Sequence, residues 1–417
     1  MSTTPRRHRA SLAALALGTS LTLVACGGGG FEDEGSSEPA SSGDGPVELQ
    51  VLIASSGDAE TKAVEDAAAA WADESGNEVE VVVANDIAQQ LSQGFAGGNP
   101  PDVFYVDAGV FGDYAAAGNL YPYFDEMADA DDFYPNLVDS FTLDDQAYCA
   151  PKDFSTLALQ INTEAWEKAG LTDADIPTTW DELETVAQEL TTPQQAGLVL
   201  GLGRDRVGAF LVQNGSFWVN ENGEPTATDP SNVEALEYVQ GLLDSGSAVL
   251  APDVDAGWGG EAFGTQKAAM TIEGNWIRGA MENDYPDVDY TVAELPEGPA
   301  GKGTLLFTQC WGIAADSPDQ EAAVSLVESL TSTENQLASA EAFGVMPSRE
   351  SAQSDYVEQF PQDAPFIAGA DYGRGPVNQP GLGPVVADLD SQLERIARAD
   401  ATEILESFQQ NAEAELQ

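Results

Sequence analysis

From Val47 onward, segments with the hydrophobic pattern of a β-strand alternate with segments that have the pattern of an α-helix. The stretch "VELQVLI" alternates before becoming continuously apolar, which is typical of a buried strand, and Asp58–Ser75 then repeats apolar side chains at helical spacing. "EVEVVVA" predicts a second strand, a stretch with Ile87, Leu91 and Phe95 on one face predicts a second helix, and "PDVFYVD" predicts a third strand. This order predicts βαβ units and a mostly parallel sheet.

The alternation resumes later in the chain. "LALQIN", "AAMTI" and "GIAA" are strand-like, and the helical patterns cover Trp180–Leu190, Val233–Asp244 and a long stretch, Val385–Phe408. No internal repeat of about 20–50 residues is visible. So many strands and helices exceed what one core usually holds, which predicts an α/β protein with two lobes.

The N-terminal 46 residues have a different character. Three arginines precede the apolar run "ASLAALALGTSLTLVA", which is the layout of a signal peptide over residues 1–25, and the run is too short for a typical membrane span. Cys26 then opens a segment rich in Gly, Ser and acidic residues. Such a segment cannot bury enough apolar surface to fold, so residues 26–46 are predicted to be a flexible tether of an exported protein.

Charge and composition exclude several functions. The chain has 71 Asp and Glu against 15 Lys and Arg, a formal charge of −56, which disfavours nucleic acid and anionic membrane surfaces as partners. The only histidine, His8, lies in the predicted signal peptide, and cysteines occur only at 26, 149 and 310. We therefore expect no zinc site, no cofactor, no Ser-His-Asp triad and no Cys-His pair. Carboxylate-pair glycosidase chemistry remains possible.

Candidate site residues follow the predicted strands or precede them. Ligands of open α/β sheets bind beyond the carboxyl ends of the strands. The polar and aromatic candidates at such positions are Ser55, Ser56, Asp58, Asp107, Lys152, Asp153, Ser155, Glu273, Asn275 and Trp276. Taken singly, several also have a structural interpretation as helix caps or turn residues.

The tryptophans separate into two groups. Trp71, Trp166 and Trp180 fall in helical patterns and are expected to pack in the core. The others, in Gly-rich or polar surroundings, are Trp218, Trp258, Trp276 and Trp311. Aromatic rings stack on the apolar faces of sugars while carboxylates and amides bind the hydroxyls, so the combination favours a carbohydrate site.

Four segments together resemble one family. "NPPDVFYVDAGVFGDYAAAGNLYPY", "YCAPKDFSTLALQINTEAWEKAGL", "PTTWDEL" and "AFGTQKAAMTIEGNWI" are similar to the extracellular solute-binding proteins of carbohydrate ABC importers. The likeness runs from about Val47 to the C-terminal helix. It implies a sugar-binding protein that is not an enzyme, with the type II periplasmic-binding-protein-like architecture of two α/β lobes joined by hinge crossovers.

The resemblance also implies lobe boundaries. One lobe is expected to hold residues 47–153 plus 310–352, and the other residues 154–309 plus 353–417. The crossovers are expected at Pro151–Asp153, at Leu306–Gly312 and near Ser348–Tyr356.

Site residues are carried over from the family position by position. Ser55, Ser56, Asp58, Asp107, Asp153, Ser155 and Trp276 match positions that line the family's cleft. Asn275 beside that tryptophan, and Arg204, Asp205, Trp311 and Arg374 in loops that border the site, are further candidates. Val106 stands where maltose-binding members have an aromatic residue on the sugar, which argues against maltose itself.

The cysteines also gain roles from resemblance. Leu23–Cys26 resembles a lipobox, which implies lipidation of Cys26 and anchoring to the outer face of the cell membrane, near the permease subunits of the importer. Cys149 and Cys310 map to adjacent crossovers, and export permits a disulfide between them. We further expect a monomer.

Three alternatives stay open at this point. The same fold could bind a polyamine or a glycerol phosphate instead of a sugar. A secreted carbohydrate-active enzyme could use a carboxylate pair such as Asp153 and Glu273. An adhesion module would not close on a small ligand.

Overall fold

The computed structural model describes residues 45–201 and 203–416. Contacts between residues group Pro46–Gln417 into one compact unit. The predicted signal peptide, nearly all of the tether and the lipidation of Cys26 lie outside the described residues. Within the described part of the chain, no helix is both long and apolar enough to cross a membrane.

Strands and helices alternate through most of the chain. The strands are β1 (Glu48–Ile53), β2 (Glu78–Val83), β3 (Val103–Asp107), β4 (Thr142–Leu143), β5 (Gln146–Ala147), β6 (Ala150–Asn162), β7 (Ala196–Leu200), β8 (Ala248–Leu250), β9 (Ala268–Gly274), β10 (Tyr290–Ala293), β11 (Thr304–Ile313) and β12 (Gly373–Arg374).

The helices lie mainly between these strands. They are α1 (Asp58–Ser75), α2 (Ile87–Gly97), α3 (Ala108–Ala116), α4 (Pro135–Asp139), α5 (Thr163–Ala169), α6 (Trp180–Leu190), α7 (Arg204–Gln213), α8 (Pro230–Ser245), α9 (Gly259–Gly264), α10 (Ile277–Asn283), α11 (Gln320–Leu330), α12 (Thr333–Phe343), α13 (Gln353–Gln359), α14 (Ala364–Ala368), α15 (Gly383–Leu393) and α16 (Ala401–Glu415).

One mixed sheet runs through this unit in the order β2-β1-β3-β11-β6-β9-β7-β8. The outer strands pair in parallel, β1 with β2 and β3, and β7 with β8 and β9. The central strands β11 and β6 are antiparallel to each other, and each is antiparallel to its other neighbour, β3 or β9. The predicted α/β class is confirmed, and the parallel βαβ units lie at the two ends of the sheet.

Buried apolar side chains form separate clusters on either side of the central strands. One cluster contains β1, β3 and α11 residues together with Cys149, Ala150, Cys310 and Trp311. A second cluster contains the later part of β6, including Leu157, and the first part of β11, including Leu305. Both β6 and β11 therefore pass from one hydrophobic core to the other, which is what crossover strands do.

The lengths of one predicted helix and two predicted strands differ in the structure. The expected long helix at Val385–Phe408 is instead the pair α15 and α16, because the Asp400 side chain accepts hydrogen bonds from the backbone N–H groups of Thr402 and Glu403 and starts a new helix. "LALQIN" and part of "GIAA" belong to the longer strands β6 and β11.

Candidate functional site

A cleft of about 320 Å³ lies along β11 and is lined by residues from both of the hydrophobic clusters described above. Its walls come from the end of β3, the start of α3, the start of α7, the loop after α7 and the segment after β12. The lining residues are Asp107, Ala108, Gly109, Asp153, Arg204, Asp205, Phe217, Trp218, Leu305, Leu306, Phe307, Thr308, Gln309, Pro376 and Val377. Three predicted carboxylates, Asp107, Asp153 and Asp205, are thus brought together.

Asp107 is fixed at the junction of β3 and α3. Its Oδ1 accepts the backbone N–H of Gly109 at 2.8 Å, which caps the helix. Enclosure by the cleft walls raises the pKa of Asp107, against the opposing effects of the Gly109 N–H and Arg204. Within the described residues, Oδ2 accepts no side-chain hydrogen bond, so the carboxylate can accept one from a ligand.

Asp153 belongs to a buried charged cluster around Lys152. The lysine ammonium pairs with Asp153 and lies 3.2 Å from Glu60 Oε1, and it sits 4.5 Å from the centroid of the Tyr105 ring. Burial by itself would lower the pKa of Lys152, but the facing groups Asp153, Tyr105 and Glu60 raise it. The lysine therefore stays charged and holds the Asp153 carboxylate at the cleft wall.

The loop after β1 does not line the cleft, in contrast to the prediction. Ser56 donates to Glu60 Oε2 from both its backbone N–H and its hydroxyl at 2.7 Å, and Ser55 Oγ donates to the Gly57 carbonyl. Asp58 is the exposed first residue of α1. These residues shape the start of α1, because short hydroxyl side chains satisfy backbone groups and the Glu60 carboxylate there.

Ser155 and Asn275 also have structural partners. Ser155 is buried, and its Oγ accepts the backbone N–H of Asn275 at 3.1 Å. Asn275 is 4% exposed and donates from Nδ2 to the Gly344 carbonyl at 2.8 Å. The two side chains fix the turn after β9 and do not line the cleft.

Trp276, the aromatic residue predicted to stack on the ligand, is exposed and lies beside the cleft but is not part of its lining. It is 38% exposed, and its ring makes an edge contact with Phe307, which lines the cleft, at 5.0 Å between centroids. Its Nε1–H donates to Glu273 Oε2 at 3.1 Å, and Arg206 pairs with the same oxygen. Burial raises the pKa of Glu273, while Arg206 opposes the shift.

Two other expected contacts lie elsewhere. Trp311 is 4% exposed and packs edge-on against Tyr105, its partner on β3, at 4.8 Å in the hydrophobic core, and it does not line the cleft. Arg374 donates from Nη2 to the Val219 carbonyl at 2.7 Å and stacks over Phe217 at 4.8 Å. It supports a cleft-lining ring from behind.

The softer candidates Arg204 and Asp205 both line the cleft at the start of α7. Arg204 pairs with Asp390, which lies outside the cleft lining, and lies 3.6 Å from Asp205 Oδ1. The one guanidinium in the lining is therefore already engaged by carboxylates.

Sequence reasoning missed the β11 face of the cleft. Phe307, Thr308 and Gln309 line it, and Thr308 Oγ1 donates to the Asp153 carbonyl at 2.7 Å. The polar pair Thr308-Gln309 inside the apolar run "TLLFTQCWGI" was the available signal, because a buried strand rarely carries adjacent polar residues without a site to serve.

A disulfide joins Cys149 and Cys310 in the structure, with a Cα–Cα distance of 5.7 Å. It links the residue before β6 to β11, one position beyond Gln309. Among residues 45–201 and 203–416, no group of three or more His, Cys, Asp or Glu side chains could hold a metal ion.

Comparison with known proteins establishes the family. Residues 66–366 match the family model of the bacterial extracellular solute-binding proteins, and the chain belongs to this family. The diacetylchitobiose binding protein DasA of Streptomyces coelicolor is 25% identical over 83% of this chain and 84% of its own length. A putative binding protein of Brucella abortus is 23% identical over 69% of this chain and 72% of its own length.

Solved structures share the fold. A cyclo/maltodextrin-binding protein complexed with maltotetraose aligns with a TM-score of 0.78 at 21% identity, covering 90% of this chain and 99% of its own. The cyclic alpha-maltosyl-1,6-maltose binding protein of Arthrobacter globiformis aligns with a TM-score of 0.77 at 21% identity, covering 89% and 99%. The predicted family and the type II binding-protein architecture are confirmed.

Proposed function

We propose that this solute-binding protein captures a mono- or oligosaccharide in the cleft and delivers it to the permease of an ABC importer. The observation that carries the proposal is the composition of the cleft. Carboxylates from three separate elements, Asp107, Asp153 and Asp205, meet an apolar wall that includes Phe307. Carboxylates bind sugar hydroxyls and aromatic rings bind sugar faces.

The family relatives support a sugar as the ligand. DasA is named for diacetylchitobiose, and structures of the same fold contain maltotetraose, mannotriose or cycloalternan. Trp276, exposed beside the cleft and touching Phe307, supplies the stacking surface in this proposal. Its contact with the sugar, like those of Asp107, Asp153 and Asp205, is part of the proposal.

Capture would proceed by hinge closure. The proposed lobes are residues 47–153 plus 310–352 and residues 154–309 plus 353–417, and β6 and β11 would be two of the connections. Two large hydrophobic clusters support this division, because each of them lies within one proposed lobe. A third cluster contains residues of both proposed lobes, such as Tyr134 and Phe366.

Binding without catalysis fits the buried position of Glu273. The alternative carboxylate-pair enzyme needs two carboxyl groups facing one substrate. Glu273 has no exposed surface and is committed to Arg206 and Trp276, so it does not face the cleft beside Asp153. This excludes the pair of Asp153 and Glu273, and the family of binding proteins supports a receptor and not a hydrolase for the other cleft carboxylates.

A cationic solute such as a polyamine is the second candidate, and one observation favours it. Arg204 is the one cationic side chain of the lining and is engaged by Asp390 and Asp205, whereas Asp107 forms no salt bridge within the described residues. The same charge disfavours a glycerol phosphate, whose phosphate would meet three carboxylates.

The proposed location is the outer face of the cell membrane. The protein would act there as a monomer, anchored through a lipid on Cys26 and linked by the tether of residues 26–46. Two acyl chains give stable anchoring where one is marginal. Mass spectrometry of the membrane-extracted protein would detect the modification, and an unmodified thiol at Cys26 would contradict it.

A thermal-shift screen followed by calorimetry tests the function. The folded domain without its N-terminal 45 residues would be mixed with mono- and oligosaccharides, spermidine and glycerol 3-phosphate. Ligand at 100 times its dissociation constant adds about 2.7 kcal/mol to the free energy of unfolding, so a true ligand raises the melting temperature clearly. Chromatography must then recover the sugar intact. Stabilisation by spermidine alone, or cleavage of the sugar, would overturn the proposal.

A further inference from the structure

The exposed ring of Trp276 is held from behind by side chains that do not line the cleft. Its indole N–H donates to Glu273 Oε2 at 3.1 Å, and Arg206 donates from Nη2 to the same oxygen. The guanidinium carbon of Arg206 also lies 5.5 Å from the centre of the indole ring. One carboxylate oxygen thus connects a buried ion pair to a surface tryptophan.

Glu273 is itself immobilised. Its side chain has no exposed surface, and its backbone N–H and carbonyl pair with the Gln160 side chain at 3.0 and 3.1 Å. Separating a buried carboxylate from its cation is strongly unfavourable in proteins, because it leaves an uncompensated buried charge. Glu273 is therefore a fixed acceptor, and the orientation of the indole depends on it.

Two glycines make room for this arrangement. A Cβ atom at Gly274 would lie 2.2 Å from the Trp276 ring, and a Cβ atom at Gly259 would lie 2.6 Å from Glu273 Oε1. Any side chain at either position would displace the ring or the carboxylate. The turn is held from its other side by Asn275, through Ser155 and the Gly344 carbonyl.

We propose that Glu273 is a positioning residue for the ligand, acting through the indole N–H of Trp276 to present the ring in one orientation. The inference rests on the proposed function, because it takes Trp276 as the stacking surface. A ring that is already fixed loses little conformational freedom when the ligand binds, and this preorganisation strengthens binding.

Calorimetry on three variants tests the effect on affinity, with maltotetraose and diacetylchitobiose as probes. Glu273→Ala removes the acceptor and is expected to weaken binding about tenfold, which corresponds to about 1.4 kcal/mol. Glu273→Gln retains an oxygen that accepts the indole N–H and is expected to restore most of the affinity. Asp363→Ala is the matched control, because Asp363 is 1% exposed and pairs with Arg278 at 2.6 Å.

A spectroscopic readout separates positioning from general stability. In protein labelled with 5-fluorotryptophan, the ¹⁹F resonance of Trp276 is assigned by its loss in Trp276→Phe. It is expected to be a single narrow line in the wild type and in Asp363→Ala, and to broaden or split in Glu273→Ala. If Glu273→Ala does not fold, Glu273→Leu combined with Arg206→Met replaces the ion pair with apolar side chains of similar size and gives the same readout.

Two results would overturn the inference. One is wild-type affinity and an unchanged resonance in a folded Glu273→Ala variant. The other is an equal loss of affinity in Asp363→Ala. If the wild type binds no sugar at all, the proposed function fails, while the ¹⁹F line still decides whether Glu273 orients Trp276.

Discussion

Two buried ion-pair clusters flank the cleft, and they differ in which of their groups faces outward. In the Lys152 cluster, formed by Lys152, Glu60, Asp153 and Tyr105, the aromatic ring is 2% exposed in the core and the Asp153 carboxylate lines the cleft. In the Glu273 cluster, formed by Glu273, Arg206 and Trp276, the carboxylate is completely buried and the aromatic ring is exposed.

The difference shows how the same three kinds of group can expose either a carboxylate or an aromatic ring. Each cluster joins a cation, a carboxylate and an aromatic ring, but the cation contacts both other groups in the Lys152 cluster, whereas the Glu273 carboxylate accepts from both Arg206 and Trp276 in the Glu273 cluster. Asp153 follows Lys152 at an irregularity of β6, where Gln309 pairs with Asp153 and Cys310 with Pro151, so that Lys152 is the extra residue and its ammonium pairs with the Asp153 carboxylate. Trp276 directly precedes α10 in the turn after β9, and its ring lies over Gly274.

Removal of the Lys152 ammonium is expected to have the largest effect on the free energy of unfolding. Lys152→Met leaves Glu60 and Asp153 buried without a counter-charge, which is expected to lower the free energy of unfolding by about 3–5 kcal/mol in urea denaturation. Lys62→Met is the control, because Lys62 forms an exposed pair with Asp66 and its loss is expected to change little. Equal stability of the two variants would contradict a buried, charged Lys152.

The disulfide beside the Lys152 cluster is expected to matter next. Cys149→Ala combined with Cys310→Ala is expected to lower the free energy of unfolding by about 2–4 kcal/mol, because the open chain gains conformational freedom when unfolded. Urea denaturation without reductant measures the loss. Non-reducing mass spectrometry that finds two free thiols in the wild-type protein would remove the basis of this prediction.

In the Glu273 cluster, truncation of the ring should affect binding and not folding. Trp276→Ala is expected to weaken sugar binding by about 1–3 kcal/mol through lost apolar contact, measured by calorimetry. Trp311→Ala is the contrasting variant, since Trp311 lies in the core and its truncation is expected to reduce stability. Unchanged affinity in Trp276→Ala would show that the exposed ring is not the stacking surface.

Each carboxylate at the cleft is expected to contribute less to ligand binding than the Trp276 ring. Asp107→Asn keeps an oxygen that can cap α3 and is expected to weaken binding by about 1 kcal/mol, with the melting temperature nearly unchanged. Titration calorimetry of the folded variant measures this. Full affinity would place the ligand away from the end of β3.

The smallest expected effect is a pH dependence in the Lys152 cluster. Burial alone would raise the pKa of Glu60, but Lys152 and the two Ser56 hydrogen bonds outweigh it and hold the pKa below its ordinary value of 4.5. Stability from this group is therefore complete above pH 4.5 and is lost as the pH falls through the folded-state pKa.

Denaturation of the wild type and Glu60→Gln across that range measures the contribution of Glu60. The difference in their free energies of unfolding is expected to shrink as the pH falls below 4.5. Burial raises the pKa of Asp153, which acts in the opposite direction in both proteins. A difference that stays constant down to pH 3 would contradict the lowered pKa of Glu60.

The sequence predicted the elements well and the site partly. The first three strands and two helices were found because their apolar periods are regular, and Asp107 and Asp153 were found because they flank predicted strands. Ser55 and Ser56 were placed in the cleft by the same reasoning, but Glu60, one helical turn further on, accepts the hydrogen bonds of Ser56, and Ser55 donates to the Gly57 carbonyl. A pattern along the chain does not reveal such a competing partner.

The α/β class, the acidic surface and the absence of histidine after residue 25 could be read from the sequence, because composition and local periodicity are properties of the chain. The family was recognised from the resemblance of four segments. Which of the aromatic rings is exposed depends on the packing of the folded chain. Trp276 and Trp311 both follow or lie in apolar strands, yet one is 38% exposed and the other 4%. The pairing of β11 with β3 turns Trp311 into the core, and such a pairing joins residues about 200 positions apart in the chain, beyond the reach of any local pattern.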